Sequence, residues 1–354
     1  MMENIQPILS IEAKDAFEYF GINFKSREDL ISKLNEKHRY FHNINHINDL
    51  INMVDTYDAS KYSHNLSSIE KKILIAIALY HDAIYNVGSQ TNEDDSAEYF
   101  IYQCTKNRTE EMQIVASIIR DTKNHIPSSK LSEIFCDFDL HGLKEGDFLS
   151  LLENEKKIFK EFQKFDYSDY KKGRISFLRS FLEKHATNTV NILALIDYVK
   201  FRVPKIGVYA GSFNPFHKGH LNIVEKSEKI FDKVIIAKGI NPEKSSDELY
   251  QRDELESLRR KQHFRQVETF NGLITDYISE KSKDADITLI RGLRNGNDLS
   301  YEMNQIKFIK EFDSSVKSIF IHCDQEFEHI SSSALRSLLS SSNKSVRSKA
   351  LDYI

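Results

Sequence analysis

Two hydrophobic rhythms divide the chain. From the N-terminus to about residue 200, apolar residues recur at three- and four-residue intervals, as in IEKKILIAIALY and AEYFIYQ, with almost no alternation of period two. That pattern predicts a succession of α-helices. After FRVPK the rhythm changes: KIGVYAG and KVIIAKG are short apolar runs ending in glycine, with the helix-like LNIVEKSEKIF between them. DELYQRDELESLRRKQ, VETFNG, LITDYISEK, ITLIRGL, LSYEMNQIKFIKEF, SIFIHC and SSALRSLL continue the alternation. Strand and helix alternating in this way predict a five-stranded parallel sheet with right-handed crossovers, binding ligands at the carboxyl ends of its strands. Pro204 interrupts the helical pattern just before the first strand, which sets the expected domains at residues 1–202 and 203–354. The serine and lysine cluster SSSNKSVRSK is expected to be a loop between two short helices.

The length of 354 residues agrees with two domains. Lysine and arginine number 49 against 53 acidic residues, a formal charge of −4. No global cationic field is available for nucleic acid or an anionic membrane, so any anion site must be local. Cys104, Cys136 and Cys323 form no CxxC pair, which fits a reducing compartment. The longest apolar run, Ile73 to Tyr80, is too short to span a bilayer, and the N-terminus lacks a basic segment followed by an apolar one. A cytoplasmic protein with neither nucleic-acid nor membrane partners is expected.

The segment GVYAGSFNPFHKGHLNIVEK places a Gly-Ser turn after a strand and the tetrapeptide His217 to His220 at the start of a helix. A helix N-terminus offers free N–H groups and a positive dipole end to phosphate, and Gly211 and Gly219 allow close backbone approach. Two imidazoles there can donate to phosphate oxygens as charge builds up. Further on come Lys244 in NPEK, Arg291 and Arg294 in RGLR, and ISSSALR from Ile330 to Arg336. RGLR follows the strand ITLI, so both guanidiniums are expected at the same sheet edge as HKGH, able to grip phosphate.

These motifs, in this order, resemble phosphopantetheine adenylyltransferase of the HxGH nucleotidyltransferase superfamily over residues 205 to about 340. GSFNPFHKGH and ISSSALR carry the superfamily, while NPEK, NGLITDY, RGLRNGNDLSYEMNQ and HISSS carry the branch. The resemblance implies a Rossmann-like fold and adenylyl transfer from ATP, with Mg²⁺, to 4′-phosphopantetheine, giving dephospho-CoA and pyrophosphate by direct in-line attack. By that resemblance Ser212 and Lys244 hold the acceptor phosphate, and His220 holds the α-phosphate in the transition state. Arg291 contacts the acceptor, and Leu273 the pantetheine arm. Phe213, His217, Gly292, Arg294, Glu302 and the stretch Phe327 to Ser333, including Ile330, Ser331 and Ser332, surround ATP. The catalytic group is then Ser212, His220, Lys244 and Arg294. A homo-oligomer is implied. Two departures stand out: His-Lys-Gly-His replaces the family's Thr-Asn-Gly-His, and Ser-Phe-Asn its Thr-Phe-Asp. His217 resembles the nicotinamide mononucleotide and cytidylyl branches, so NMN adenylyl transfer is the alternative reaction.

In the first half, HRYFHNINH sets His38, His42 and His46 at i, i+4 and i+8, able to share one helix face. LYHDAIYN ends an apolar helix with His81 and Asp82, a costly place for an acid that binds nothing. His125 in TKNH and the pair Asp137 and Asp139 in CDFDL complete a mixed nitrogen and oxygen ligand set suited to a divalent metal. HRYFHNINHI, ALYHDAIYN, NEDDSAEYF, IIRDTKNH and DFDL resemble, in order, the HD superfamily of metal-dependent phosphohydrolases, an all-α helical bundle. The resemblance implies His46, His81, Asp82 and Asp139 as ligands of Mn²⁺, Fe, Zn²⁺, Ni²⁺ or Mg²⁺, with Asp137 competing for the last place. Glu93, after Asn92, would orient the site or transfer protons. The alternative is an HD unit that senses a nucleotide without catalysis.

Overall fold

The computed structural model describes residues 11–240 and 248–354, with the side chains of 248–254 left undescribed. Lys244 lies outside the described residues. The chain falls into two compact units interleaved in sequence: one runs up to Glu161 and adds Leu178–Ile196, the other joins Phe162–Phe177 to Asp197–Ile354. Where the sequence predicts one division at 202/203, these units change over after Glu161, at the end of the helix Phe148–Glu161, and again inside the helices Tyr167–Lys184 and Thr189–Phe201. The physical cause is a set of polar ties. Buried Lys233 donates from Nζ to the carbonyls of Gln163 and Phe165, and Lys281 pairs with Asp166 at 2.7 Å. These bonds draw residues 162–177 into the sheet unit.

The helical unit is built around Ser68–Tyr80. Ser67 and Glu70 close a reciprocal capping box at its start, and every residue from Ile73 to Tyr80 is buried. A helix apolar on all sides belongs at a core. Helices Ile11–Phe20, Ile44–Asp55 and Thr109–Asp121 pack around it. Each large side chain so covered contributes about 1.5–3 kcal/mol. No strand occurs among the described residues before Lys205, in agreement with the helical periodicity.

The sheet unit has five parallel strands: β1 (Lys205–Gly211), β2 (Lys233–Ile240), β3 (Gln266–Asn271), β4 (Asp286–Leu293) and β5 (Lys317–His322). Their order is β3-β2-β1-β4-β5. The chain leaves β1 toward β2 on one side and returns to β4 on the other, so the switch point lies between β1 and β4, where such sheets bind ligands. Tyr209 of β1 is registered with Ile290 of β4. The motif-bearing ends of both strands thus lie side by side. The cluster SSSNKSVRSK is only partly a loop, because its second half forms the helix Lys344–Leu351, capped by Asn343.

No helix among the described residues is long and apolar enough to cross a membrane.

Candidate active site and candidate metal centre

A cavity of about 850 Å³ opens at the ends of β1 and β4. Among the helices that begin on it, two carry the motifs. The helix Lys218–Ser227 has His217 at its N-cap, and the helix Ser332–Leu339 is capped by Ser331, whose Oγ accepts from the Ala334 N–H at 3.2 Å. Paired helix N-termini form a natural anion site. Ser212, Phe213, His217, His220 and Gly292 line the cavity, as do Arg291, Arg294, Glu302 and Ser331–Ser333. Leu273 is 46% exposed at the N-cap of the helix Ile274–Lys281 and is not among the lining residues; its neighbours Gly272 and Ile274 are. Phe327 and Ile330 pack in hydrophobic clusters with Leu335 and Ala350 instead of lining the cavity. Ile330 enters the site only through its carbonyl, toward which Arg294 Nη1 donates at 3.4 Å.

The turn between β1 and the helix shapes the histidine pair. Phe213 sits at φ +47°, a conformation that costs an L-residue about 1–2 kcal/mol, and is held there by contacts of its ring with Tyr209, Phe216 and His220. The backbone N–H of His217 donates to His220 Nδ1 at 3.3 Å. In a neutral imidazole this leaves the proton on His220 Nε2, available as a donor. Burial and the neighbouring Arg294 hold His217 down at about 4. Burial, His217 and Arg294 hold His220 well below the usual histidine range. Both rings are therefore neutral near pH 7. At Gly219 a Cβ would meet the His217 ring at 3.1 Å, so glycine is what permits the pair to stack.

The two arginines reach the cavity already engaged. Arg291 Nε donates to Glu302, and Arg294 grips Asp298 through Nε at 2.8 Å and Nη2 at 2.9 Å. Asp298, in the first turn of the helix Gly296–Phe312, is a site residue that motif reading passes over; its only signal is the i,i+4 spacing from Arg294. Arg336, the last residue of ISSSALR, also lines the cavity and donates to the Asn214 carbonyl.

In the helical unit, ligand atoms of His46, His81 and Asp139 all lie within 4.8 Å of one another. His81 Nδ1 donates to the Ala78 carbonyl at 3.0 Å, so Nε2 is the nitrogen turned toward Asp82 and Asp139. His81 Nε2 and His46 Nε2 are buried without a hydrogen-bond partner, although Asp139 Oδ1 lies 3.3 Å from His46 Nε2 and 3.7 Å from His81 Nε2. Two ring nitrogens and a carboxylate oxygen are thus gathered in one place, a donor set of the kind that suits a divalent cation. Asp82 joins through His81, its Oδ2 lying 3.0 Å from Nε2. Burial opposes charge on His81, but Asp82 and Asp139 outweigh it and push the imidazole up to about 9. A bound cation would answer the same excess of negative charge.

The structure distinguishes the two aspartates of CDFDL. Asp137 is engaged by Lys144 at 2.7 Å, Lys61 at 3.2 Å and the Tyr62 hydroxyl, whereas Asp139 faces His46, His81 and His125. The shared helix face expected for His38, His42 and His46 does not form. Asn43 caps the helix Ile44–Asp55 with its side chain, so His38 and His42 precede the helix. The N–H groups of Tyr40, Phe41 and His42 turn instead to Glu161 Oε1, at 2.7–2.8 Å. Asn92 clamps the backbone of Asn86, and Glu93 stands half-buried in the first turn of the helix Asn92–Gln103.

Comparison with known proteins supplies the family of the sheet unit. A family model described as cytidylyltransferase-like matches residues 208–338. The phosphopantetheine adenylyltransferase of Clostridium novyi (strain NT) is 32% identical over 139 residues, 38% of this chain and 83% of that protein. The phosphopantetheine adenylyltransferase of Clostridium botulinum (strain Hall) is 35% identical over 136 residues, 37% of this chain and 80% of that protein. A solved structure described as "a Putative Nicotinate-nucleotide Adenylyltransferase from Vibrio parahaemolyticus" aligns at 19% identity and a TM-score of 0.30, over 42% of this chain and 91% of that one. Through its C-terminal region, this chain belongs to the phosphopantetheine adenylyltransferase family and is a nucleotidyltransferase.

Proposed function

We propose that the sheet unit transfers the adenylyl group of ATP, taken as its Mg²⁺ complex, to 4′-phosphopantetheine. An oxygen of the acceptor phosphate attacks the α-phosphorus, the bond from that phosphorus to the α,β-bridging oxygen breaks, and pyrophosphate leaves. Family membership gives the reaction class, and the single observation that supports the roles is the neutral His217–His220 pair at a helix N-terminus. His220, with Nδ1 occupied by the His217 N–H, donates Nε2–H to the α-phosphate oxygen as its charge grows. Arg294 and the N–H groups at Ser331–Ser333 take the remaining phosphates of ATP. Arg291 and Ser212, with Lys244, take the acceptor phosphate. No protein nucleophile is required; positioning and charge neutralisation carry the rate. The test is pyrophosphate release by the full chain with MgATP and either 4′-phosphopantetheine or NMN. Release with NMN alone would overturn this choice of acceptor.

For the helical unit we infer an HD-type phosphohydrolase in which His46, His81, Asp82 and Asp139 hold one divalent metal. The support is the pair of buried, unpartnered Nε2 atoms aimed at a carboxylate. A metal held there supplies Lewis acidity and a bound water of lowered pKa. The chain's own residues fix that arrangement: Ala78 O sets the His81 tautomer, and His125 Nε2 steadies Asp139 at 2.8 Å. Elemental analysis of protein purified without chelator, with hydrolysis assays of nucleotides and phosphoesters in added Mn²⁺, Ni²⁺ or Mg²⁺, tests the reading. Absence of both metal and hydrolysis would turn it to a nucleotide sensor.

A further inference from the structure

RGLR and the helix after it form a ladder of two ion pairs. Arg291 and Arg294, three residues apart at the end of β4, meet Glu302 and Asp298, four apart on Gly296–Phe312. The two pairs differ in kind. Arg291 gives Glu302 one nitrogen, Nε. Arg294 gives Asp298 a whole edge, Nε to Oδ2 at 2.8 Å and Nη2 to Oδ1 at 2.9 Å. Asp298 Oδ2 also accepts the backbone N–H of Arg294 at 3.0 Å, and the Asp298 N–H donates to Asn295 Oδ1 at 3.1 Å. The carboxylate is thus fixed to the same short stretch of backbone that bears the arginine, in a first helical turn whose dipole favours its charge.

A guanidinium held along one edge has lost most of its rotational freedom. Among the described residues, its remaining terminal nitrogen, Nη1, meets only the Ile330 carbonyl, at a long 3.4 Å. Ile330 immediately precedes Ser331–Ser333, where the second helix N-terminus opens on the cavity. Nη1 therefore stands beside the serines.

We propose that Asp298 is a positioning residue for nucleotide recognition: by gripping one edge of Arg294 it aims the Nη1 edge at the phosphates of ATP. This rests on the adenylyl-transfer reading of the cavity. Asp298 contributes through Arg294, so its removal weakens ATP only while Arg294 is present.

A double-mutant cycle on the full chain tests this, with MgATP binding measured without acceptor and then with steady-state kinetics. Asp298→Asn, which keeps shape and loses the charged fork, is expected to weaken ATP about tenfold, the scale of one charge-assisted hydrogen bond. The loss should fall on the KM for ATP and leave the acceptor KM and kcat within about twofold. Asp298→Ser, which keeps one short acceptor oxygen in the first helical turn, should behave as Asp298→Asn does; thermal unfolding of both variants establishes that they fold. In an Arg294→Ala background neither change should cost more. Unchanged or tighter ATP binding by Asp298→Asn, or an equal loss in the Arg294→Ala background, would overturn the proposal. Wild-type chain that binds MgATP but releases no pyrophosphate with 4′-phosphopantetheine would sink only the acceptor assignment; failure to bind MgATP would sink both.

Discussion

His217 and His220 stack with ring centroids 3.7 Å apart and planes 24° apart, a contact that two charged imidazoles would not sustain beside Arg294. Its consequence is a pH dependence of stability. His217 titrates at about 4 in the folded chain because of burial, then Arg294, against about 6.5 when unfolded. Below pH 6.5 the unfolded chain binds a proton that the folded one refuses. Stability is therefore complete above pH 6.5 and falls as pH drops toward 4, by roughly 3 kcal/mol from this residue. Denaturant titrations at pH 7, 6, 5 and 4 should show wild type losing stability more steeply than His217→Gln. Parallel curves would show that the stacked ring is not held neutral.

In the proposed adenylyl transfer the same stack sets the donor. His220→Ala should reduce kcat about a hundredfold to a thousandfold, the usual cost of one donor aimed at transition-state charge. Gly219→Ala should act on that donor indirectly: its Cβ would meet the His217 ring at 3.1 Å, tilting the ring stacked on His220. A loss of about 1–3 kcal/mol in stability is expected from such crowding, with kcat reduced and the KM for the acceptor little changed. A loss under threefold for His220→Ala would remove the residue from its role.

The two aspartates of CDFDL should separate under substitution. Asp139→Asn removes a carboxylate that faces three imidazoles and should lower bound metal to background in elemental analysis. Asp137→Asn weakens contacts to Lys61, Lys144 and Tyr62 and should leave metal content unchanged, with at most a modest fall in melting temperature. Equal metal loss in both variants would contradict the assignment of Asp139.

What could be read in the sequence was whatever is local. The HKGH turn, the ISSSALR cap and the RGLR strand end each declare themselves within about ten residues, because a helix N-terminus and a strand end are local features, and all three meet at one cavity. Asp137 and Asp139 look alike in sequence, since what distinguishes them is which distant side chains they meet. The stripe of His38, His42 and His46 fails for a related reason: helical spacing predicts a helix only where nothing else claims the backbone, and Glu161, 119 residues beyond His42, claims three of its N–H groups. The Phe162–Phe177 stretch, helical by its rhythm, belongs with the sheet because of Lys233 and Lys281, contacts that no periodicity encodes.

Glu161 is the strongest candidate for a residue whose loss would be felt at a distance in the chain. Its carboxylate is buried and accepts five hydrogen bonds: three backbone N–H groups at Oε1, and His42 Nδ1 at 2.6 Å and the Tyr85 hydroxyl at 2.8 Å at Oε2. Burial alone would raise its pKa, but His42 and the backbone donors hold it below the usual range, so it remains charged. Glu161→Ala would strand these donors and should cost about 3–5 kcal/mol. Glu161→Gln keeps the shape, loses the charge and should cost about half as much. Because residues 40–42 lead directly into the helix that bears His46, loosening them should also lower metal affinity about tenfold to a hundredfold, as loss of an outer support typically does. Thermal unfolding and metal titration of both variants check the two effects together; a destabilised Glu161→Gln chain with wild-type metal affinity would show that Glu161 supports the fold of this loop and not the placement of His46.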